Sequence, residues 1–384
     1  MKSIELKSKI INDKYTEYVY DTFDIQNREE TSVSIPLNFE ELKKTEWNIG
    51  VIYGSSGSGK SSIIKKMGGV REVIFDKERA LISCFDWLEP SEASFVLTSM
   101  GLSSVPTWLR PFHTLSNGEQ YRAILAYIVS SAKDGEVILV DEYTSVVDRD
   151  VAKAMSFALQ KYIRRENKRI ILASCHYDIM EWLMPDWTYS LQKGGVLERN
   201  DYLRQGRPNI ELSVSRCKID TWEMFKKHHY LTEDVNKAFS CLMFEWNSVP
   251  VGIVIYKPQA SGSLPNGYGL SRTVVLPDFQ GMGIGSKISE FVSAILKSKE
   301  LRVFTKTINP ALGIYREKNK DKWRPTSKNK IVRKDAESDK KVKTRLSRAS
   351  YCYEYIGEAI YGYEDILLPM DEMRKNKNLN YNFE

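Results

Sequence analysis

Short apolar runs alternate with helix-like stretches along the first half of the chain, and this pattern predicts an α/β fold. The runs are WNIGVIY (residues 47–53), VILV (137–140) and RIILAS (169–174), and each is followed by glycine or polar residues. Apolar runs of this length without polar alternation are typical of parallel strands that are buried on both faces. A helix-like stretch such as YRAILAYIVSSA (121–132) lies between two of them.

The pattern resets after a polar, glycine-bearing segment at residues 194–208, which predicts a domain boundary there. We expect a first domain at 1–204, a second mixed α/β domain at 205–365 and a polar, mobile tail at 366–384. The second domain is predicted to contain a helix over DTWEMFKKHHYL (220–231), a hairpin turning at Asn247-Ser248, and a final sheet strand in ASYCYEYIG (349–357).

Composition is that of an ordinary globular protein. The chain has 384 residues, of which 42% are apolar and 28% charged, with a net charge of +6. It has no apolar run long enough to span a membrane, and its first residues are too charged for a signal peptide. The five cysteines form no CxxC pair and predict reduced thiols. We therefore expect a cytoplasmic protein that has no membrane partner.

The first chemical motif directly follows the strand at 47–53. GSSGSGKS matches the phosphate-binding pattern G-x-x-x-x-G-K-[ST], with a strand before it and helix-like sequence after it. Backbone N–H groups of such a loop cradle the phosphates of ATP, and the lysine adds positive charge. A chance glycine-rich turn is the competing explanation, which both flanks disfavour. The predicted ATP-binding residues are Gly54, Ser55, Gly57, Ser58, Gly59, Lys60, Ser61 and Ser62.

Carboxylates, a second anion site and a histidine follow in the first half. Asp141 and Glu142 end the strand VILV; we expect Asp141, with Ser61, to hold Mg²⁺ and Glu142 to act as general base toward the attacking water. Ser116 and Gly118, in LSNGEQ, precede a helix and predict another anion site. A histidine, His176, comes after the strand RIILAS.

The order and spacing of these motifs resemble the ABC-type ATPases. LSNGEQ is similar to their signature, SVVD with Asp148 to their D-loop, and His176 to their switch histidine. The resemblance implies a head-to-tail homodimer in which the signature of one copy completes the ATP site of the other. The segment from residue 60 to 115 is short and lacks glutamine, which favours a soluble ATPase over a transporter subunit. Three upstream aromatic residues are alternatives for stacking on adenine, namely Tyr18, Tyr20 and Phe23.

A second glycine loop lies in VVLPDFQGMGIGSK, residues 274–287. A dinucleotide-binding site is the competing explanation, but the spacing is Q-G-x-G-x-G and no acidic ribose ligand ends the next strand. The loop is similar to the central motif of the GNAT acyltransferases. That resemblance implies that acyl-CoA, most simply acetyl-CoA, binds through its pyrophosphate at Gln280, Gly281, Gly283, Gly285 and Ser286, with Asn309 as a further contact and Tyr315 as general acid.

Two further features suggest what the second domain acts on. The neighbouring His228 and His229 are either a helix C-cap or, with His229 in a catalytic role, a base or a substrate contact. Residues 316–348 contain 14 Lys or Arg against five Asp or Glu. This segment is either a solvated loop or a surface for a phosphate backbone, with Trp323 available to stack on a base.

The whole chain resembles phage and mobile-element proteins that fuse a soluble ABC-type ATPase to a GNAT-like domain, and its second half resembles the Mom-type proteins that modify adenine in DNA. The leading hypothesis is an ATP-dependent transferase that acylates an amine of a DNA base. One alternative is an acetyltransferase for a small amine or a protein lysine, regulated by the ATPase. Another is an ATP-switched DNA sensor whose GNAT fold has lost catalysis.

Overall fold

The structure, a computed structural model, describes residues 2–26, 28–37, 39, 42, 45–229, 234–259, 264–331, 350–368 and 381–383. The strands are β1 Lys2–Lys9, β2 Glu30–Leu37, β3 Ile49–Tyr53, β4 Val137–Val140, β5 Arg169–Ser174, β6 Trp187–Ser190, β7 Val196–Arg199, β8 Leu212–Cys217, β9 Ser240–Trp246, β10 Val249–Pro258, β11 Gly267–Val275, β12 Arg302–Thr307, β13 Trp323–Pro325, β14 Tyr351–Tyr355 and β15 Tyr381–Phe383. The α-helices are α1 Lys14–Phe23, α2 Lys60–Lys66, α3 Pro90–Ser99, α4 Val105–Trp108, α5 Asn117–Ser131, α6 Arg149–Arg165, α7 Met180–Leu183, α8 Tyr202–Gln205, α9 Trp222–Phe225, α10 Ile284–Ser298 and α11 Pro310–Lys318.

The chain forms two compact units. The first contains Met1–Phe75 and Ser116–Pro208, and the second contains Asp76–Leu115 and Asn209–Glu384. The boundary near residue 208 lies within four residues of the expected one. The segment 76–115, which the sequence assigned to the first domain, lies in the second unit instead. The sequence did not predict this placement, because residues 76–115 are flanked on both sides by elements of the first unit.

A five-stranded sheet in the order β4-β5-β3-β6-β7 forms the core of the first unit. Its first four strands are parallel, and β7 runs antiparallel to β6. The predicted strands at 137–140 and 169–174 are confirmed, and the run at 47–53 begins as a strand at Ile49. Close packing requires glycine at position 50, since a Cβ there would lie 2.0 Å from the Trp187 ring.

The parallel register brings the motifs of the first half to one edge of this sheet. Tyr53, the last residue of β3, pairs with Ser174, the last residue of β5, and Val140 of β4 pairs with Leu172. The residues that follow these strands are the glycine loop at 54–61, the pair Asp141-Glu142, and His176. Motifs that are far apart in sequence therefore leave the sheet at the same carboxyl edge, where ligands of open α/β sheets bind.

The second unit contains an eight-stranded sheet in the order β13-β14-β12-β11-β10-β9-β8-β15. The predicted hairpin is confirmed as β9–β10, and its turn residues Asn247 and Ser248 have left-handed φ angles of 50° and 65°. The strand expected near residue 350 is β14, which lies inside the sheet between β12 and β13. The expected helix at 220–231 is shorter, consisting of α9 and a 3-10 turn at Lys226–His228.

The C-terminal segment was expected to be a polar tail, but its end takes part in the fold. β15 pairs antiparallel with β8, with Tyr381 opposite Val214 and Phe383 opposite Leu212. Two apolar residues separated by one polar residue form this edge strand, too short a pattern to distinguish from a tail in the sequence.

Strands β11 and β12 are the parallel pair of the second sheet, and they are joined through α10. The pairing with β12 covers Gly267–Leu270 opposite Arg302–Thr305. The second half of β11, which leads into the glycine loop, extends beyond β12 and pairs with β10. Helix α10 packs against β10, β11 and β12 and buries a continuous apolar face, as its sequence period requires.

Two expectations from the composition, on membrane-spanning helices and on the cysteines, can be compared with the structure. In the part of the chain that the structure describes, no helix has the length and apolar character needed to cross a membrane. All five cysteines are free thiols, but Cys217 and Cys241 face each other across β8 and β9 with their Sγ atoms 3.1 Å apart. The sequence did not predict this proximity, because the two cysteines are 24 positions apart.

Candidate functional sites

The first candidate site is the glycine loop between β3 and α2. Gly57 and Gly59 have φ angles of 77° and 97°, which lie in the left-handed region that favours glycine. A Cβ at position 59 would lie 2.4 Å from Ile35 Cδ1, so this position also needs glycine for packing. The loop thus has the backbone conformation that the motif requires, and the first amides of α2 have no acceptor within their own helix.

Two polar groups in this loop fit an anionic ligand. The Lys60 ammonium donates hydrogen bonds to the carbonyl oxygens of Gly54 at 2.8 Å and Ser55 at 2.7 Å, which holds its charge over the loop. The Ser58 hydroxyl is buried and has no hydrogen-bond partner among the described residues. Ser61 and Ser62 lie in the first turn of α2. A cationic group at the loop and an unsatisfied buried hydroxyl fit a phosphate.

The carboxylates that follow β4 sit on an unusual backbone. Glu142 has a left-handed φ of 49°, and its N–H donates to Asp141 Oδ1 at 2.9 Å. Thr144, which is fully buried, has a φ of 70°. Left-handed conformations of non-glycine residues cluster at functional sites. The exposed Glu142 carboxylate and the half-buried Asp141 are available to a ligand at this edge.

His176 is held in place by Thr144, a residue that the sequence analysis did not identify. Thr144 Oγ1 and His176 Nδ1 are joined by a hydrogen bond of 3.0 Å. Burial and the nearby Arg149 guanidinium lower the pKa of His176, so the ring is neutral at physiological pH. Arg149 Nε also donates to Asp178 Oδ2 at 3.0 Å. Two side-chain contacts therefore connect the segment after β4 with the histidine loop after β5.

Two other predicted nucleotide contacts act as helix caps. Ser116 is the N-cap of α5; its Oγ accepts from the N–H of Glu119, whose carboxylate in turn accepts from the Ser116 N–H at 3.0 Å. Asp148 caps α6 by accepting from the N–H of Asp150 and of Val151. Gly118 lies in the first turn of α5. These local roles fix the ends of the two helices, and a contact with nucleotide stays a prediction.

The aromatic residues proposed for adenine all lie on α1. Tyr18 and Phe23 are largely exposed, and the Tyr20 hydroxyl donates to the Arg28 carbonyl at 3.3 Å. A different aromatic pair lies beside the glycine loop itself. Tyr53, directly before the loop, meets Tyr177, directly after His176, with ring centroids 5.2 Å apart at 84°.

The second candidate site is the glycine loop between β11 and α10. Gly281 and Gly283 have φ angles of 87° and 86°, and Gly283 is the N-cap of α10. A Cβ at position 283 would meet nothing within 4 Å, so this side of the loop is open. Gly285 and Ser286 lie in the first turn of this 15-residue helix. An open loop with unpaired first-turn amides fits the pyrophosphate of an acyl-CoA.

Gln280 is already engaged within the protein. Its side-chain amide donates to the carbonyl oxygen of Val275 at 2.8 Å, and its carbonyl oxygen accepts from the N–H of Ser103 at 2.8 Å. The side chain therefore connects the loop to β11 and to the segment 76–115. Its contact with pyrophosphate stays a prediction.

Tyr315, the expected general acid, donates its hydroxyl proton to a buried carboxylate. The distance to Glu290 Oε1 is 2.7 Å, and Glu290 also accepts from Lys322 at 3.2 Å and Trp323 at 3.4 Å. Burial and the bond to Glu290 raise the pKa of Tyr315. A signal in the sequence was the single acidic residue in the apolar run of α10. Asn309 accepts from the N–H of Leu312 at 3.3 Å at the start of α11.

His229 ends the 3-10 turn after α9. Its ring meets Trp222 with centroids 5.7 Å apart at 68°. Burial and the nearby Arg272 lower the pKa of His229 to about 4. The side chain is consequently neutral over the physiological range, as a proton acceptor must be, and its catalytic role stays a prediction. Its neighbour Tyr230 lies outside the described residues.

The expectation that Trp323 of the basic segment 316–348 is available to stack on a base is wrong. Trp323 is buried, with 1% of its surface exposed; its ring packs against Tyr355, and the Arg316 guanidinium lies 4.7 Å from its centroid. It is therefore not available to stack on a base, because these residues and Glu290 surround it. The second half of the segment, residues 332–349, lies outside the described residues.

Comparison with known proteins was made on sequence and on fold. The sequence profile of the acetyltransferase (GNAT) family matches residues 176–318, which is more than a third of the chain. No curated protein sequence matches the chain significantly.

Three solved structures illustrate the similarity in fold. cbiO1 from Clostridium perfringens, part of an ABC transporter complex, has 19% identity over 40% of this chain and 77% of that chain, with a TM-score of 0.32. The bacterial ABC transporter cassette MJ0796, solved as a dimer, has 14% identity over 40% and 85%, with a TM-score of 0.32. The ribosomal-protein-S18-alanine N-acetyltransferase of Escherichia coli has 12% identity over 39% and 97%, with a TM-score of 0.28.

Identities and TM-scores this low carry no functional argument, so residue roles depend on the geometry of this chain. The family match covers β8–β12, α9, α10 and the whole of α11, and so includes the second glycine loop. The fold class expected from the sequence is confirmed: the chain is mixed α/β, with a P-loop domain followed by a domain similar to the acetyltransferase (GNAT) family.

Proposed function

We propose that this chain is an ATP-dependent N-acyltransferase, with ATP bound in the first unit and an acyl-CoA in the second. The observation that carries the proposal is the presence of two glycine loops, each entered from a strand and followed by a helix, but with different polar groups. The first loop has Lys60 and Ser58, and carboxylates end a strand at the same sheet edge. The second has the left-handed Gly281 and Gly283 at the N-terminus of α10, where backbone amides are available. The first suits a hydrolysed triphosphate and the second a pyrophosphate that is only held.

In the first unit, Lys60 and the loop amides would bind the phosphates, and Ser61 and Asp141 would hold Mg²⁺. The metal, when bound, neutralises phosphate charge and orients the γ-phosphate. Glu142 would accept a proton from the attacking water, and the neutral His176 would donate a hydrogen bond near the γ-phosphate. By the resemblance to ABC-type ATPases, Ser116, Gly118 and Asp148 of a second copy would complete the site in a homodimer.

In the second unit, an amine nitrogen of the acceptor would form a bond to the acyl carbonyl carbon while the carbon–sulfur bond breaks. The amine loses a proton, for which the neutral His229 is the candidate acceptor. The CoA thiolate gains a proton, for which Tyr315 is the candidate donor. Because the Tyr315 proton lies in a bond to Glu290, that donor would first have to turn away from the carboxylate.

DNA is the proposed acceptor, and a basic sheet face supports this choice. Arg302 and Arg324 both hold Glu354, at 2.7 and 2.8 Å, so one carboxylate is flanked by two guanidinium groups. Strand alternation places Lys306 and the half-buried Phe304 on the same face as Arg302. Positive charge of this kind suits a phosphate backbone. A base to be acylated must leave the duplex, which the ATPase would assist.

The test is to incubate the full chain with DNA, ATP and candidate acyl-CoAs, digest the DNA, and search for nucleosides of increased mass. A nucleoside that gains the mass of the acyl group supports the proposal. Acylation of a small amine or of protein lysine without DNA would instead identify the regulated acetyltransferase. ATP hydrolysis measured with and without DNA gives a second readout, since only DNA-directed activity requires stimulation by DNA.

The charged face is tested separately. The double variant R302Q/R324Q should weaken DNA binding uniformly across sequences and reduce the slope of log affinity against log salt by about 2. The matched control is R165Q, since Arg165 is an exposed, ion-paired arginine of the first unit. Equal losses for both variants, or none for either, would exclude this face as the DNA site.

The sensor hypothesis is favoured by a specific observation. The side chains of both Gln280 and Tyr315 are hydrogen-bonded within the protein rather than directed to a ligand. ATP-dependent DNA binding without acyl transfer to any acceptor would support a transferase fold that has lost catalysis.

A further inference from the structure

Residues 102–108 contact two elements of the predicted transferase site. The N–H of Ser103 donates to Gln280 Oε1 at 2.8 Å, at the start of the glycine loop. Helix α4, which follows directly, packs against the 3-10 turn at Lys226–His228 that leads into His229. The segment therefore touches the proposed donor loop and the turn that precedes the proposed base, although it lies more than 100 residues before either of them.

This segment is firmly held in the second unit. Leu102 is 1% exposed, Ser104 2% and Thr107 4%. The Trp108 indole donates to the Leu102 carbonyl at 2.6 Å and closes the segment on itself. With its apolar and polar groups buried, the segment would move as one body and carry the Ser103 N–H with it.

This segment belongs to residues 76–115, which the chain joins at both ends to parts of the first unit that contain the predicted ATP-binding motifs. Residues 76–115 follow Phe75, which packs against Tyr127 of α5 with ring centroids 5.4 Å apart. They end at Leu115, which directly precedes Ser116, the N-cap of α5 and first polar residue of the signature-like motif. Upstream, α2 carries the phosphate loop at its start. A nucleotide-dependent shift of α2 or α5 would therefore reach this segment along the chain.

The glycine loop depends on Gln280 for its position. Gly281 and Gly283 have left-handed φ angles and no side chains to pack, so they constrain the loop little. The Gln280 amide is fixed on one side by Val275 of β11 and on the other by Ser103. Moving Ser103 would therefore shift the first residue of the loop and the amides that follow it.

We propose that residues 102–108 couple ATP binding in the first unit to acyl-CoA binding in the second through the Ser103–Gln280 hydrogen bond. The inference rests on the proposed function, because it assumes that the two glycine loops bind these ligands. It assigns to Ser103 and Gln280 a positioning role. ATP changes which arrangement of the donor loop is favoured, and the acyl donor binds the two arrangements with different affinity.

The size of the effect follows from one neutral hydrogen bond between backbone and side chain. Making or breaking such a bond corresponds to about a 3- to 10-fold change in an equilibrium constant. Acetyl-CoA should therefore bind with a dissociation constant that differs by about that factor with and without nucleotide. Since coupling between binding sites is reciprocal, acetyl-CoA must change nucleotide affinity by the same factor.

The experiment measures equilibrium binding of acetyl-CoA to the full chain with and without a saturating hydrolysis-resistant ATP analogue and Mg²⁺, and the reverse titration. Q280L removes both side-chain hydrogen bonds and should reduce the coupling factor to 1. S103P removes the Ser103 N–H and leaves Gln280 in place, and it should also reduce the coupling factor to 1. K60A should abolish the effect of the ATP analogue on the affinity for acetyl-CoA, because it removes the lysine of the phosphate loop. Amide exchange of residues 276–284 with and without the analogue supplies a readout that needs no acetyl-CoA.

Equal factors in the two titrations of the unsubstituted chain, lost in Q280L and in S103P, support the proposal. If acetyl-CoA binds but the analogue changes neither its affinity nor the exchange of the loop, the coupling is refuted while the proposed function stands. A coupling factor that persists in Q280L excludes this contact as the connection. Failure of acetyl-CoA to bind at any concentration up to millimolar overturns the proposed function, and this inference with it. Should Q280L fail to fold, S103P removes the same donor from the other side.

Discussion

The substitution Tyr315→Phe separates catalysis from structural support at the second site. The phenol hydroxyl donates to Glu290 Oε1 at 2.7 Å, and Glu290 is 7% exposed. Phenylalanine keeps the ring and removes only this donor. Loss of a hydroxyl that donates to the CoA thiolate lowers the rate of acyl transfer. Loss of a hydroxyl that donates to a buried carboxylate lowers the free energy of unfolding.

The expected loss of stability follows from the bond and its neighbours. A hydrogen bond to a charged group contributes about 1.5–3 kcal/mol. Lys322 at 3.2 Å and Trp323 at 3.4 Å still donate to Glu290 in the variant, so the carboxylate does not become unpaired. We therefore expect Y315F to lower the free energy of unfolding by about 2 kcal/mol, toward the lower end of that range. Because Tyr315 is also the proposed proton donor to the CoA thiolate, its loss should lower the rate of acyl transfer by about 10²–10⁴-fold.

The assay combines guanidinium unfolding of the full chain, followed by tryptophan fluorescence, with release of free CoA from acetyl-CoA. The matched control is Glu290→Gln, which leaves Tyr315 an acceptor but removes the charge. In that background the same tyrosine substitution should cost about 1 kcal/mol, because the bond it removes is then neutral. The difference between the two backgrounds is the coupling energy of the pair.

A fall in kcat of less than about 10-fold would refute Tyr315 as the proton donor, whereas an unchanged free energy of unfolding would refute its structural role. A loss of stability that is the same in both backgrounds would show that the bond to Glu290 is not its cause.

Three further predictions follow from the described contacts. Lys60→Ala removes the ammonium from the phosphate loop and should raise the dissociation constant for ATP about 100-fold; unchanged binding in equilibrium titration would show that the loop is not the ATP site. The pKa of His229 is lowered from 6.5 to about 4, so between these pH values the folded chain binds fewer protons than the unfolded chain. The free energy of unfolding should therefore fall by about 1–2 kcal/mol as the pH drops from 6.5 to 4, a value reduced for the partial exposure of the ring. The contribution of His229 to this loss should be absent in His229→Gln, so the variant should lose less stability than the unsubstituted chain when unfolding is measured at several pH values. A two-electron thiol oxidant such as diamide should join Cys217 and Cys241, since their sulfurs are 3.1 Å apart; peptide mass spectrometry should detect the loss of two hydrogens, and Cys217→Ser should prevent it.

The fold class and the two glycine loops were predictable because each depends on contiguous residues. A strand, a glycine loop and a helix follow one another within residues 49–66 in the first case and 267–298 in the second, and the required left-handed angles select glycine locally. The sequence likewise predicted the hairpin, because the two turn residues Asn247 and Ser248 lie between alternating strands. These features need no knowledge of how distant segments pack.

The partners of the site residues were decided by tertiary structure alone. Trp323 is buried because Glu290 and Arg316 surround it, although its neighbours in sequence are charged. The segment 76–115 packs in the second unit, where the Ser103 amide meets Gln280, although the chain enters and leaves it through the first unit. Local sequence determines backbone conformation, whereas a hydrogen bond between residues 177 positions apart depends on how the whole chain packs.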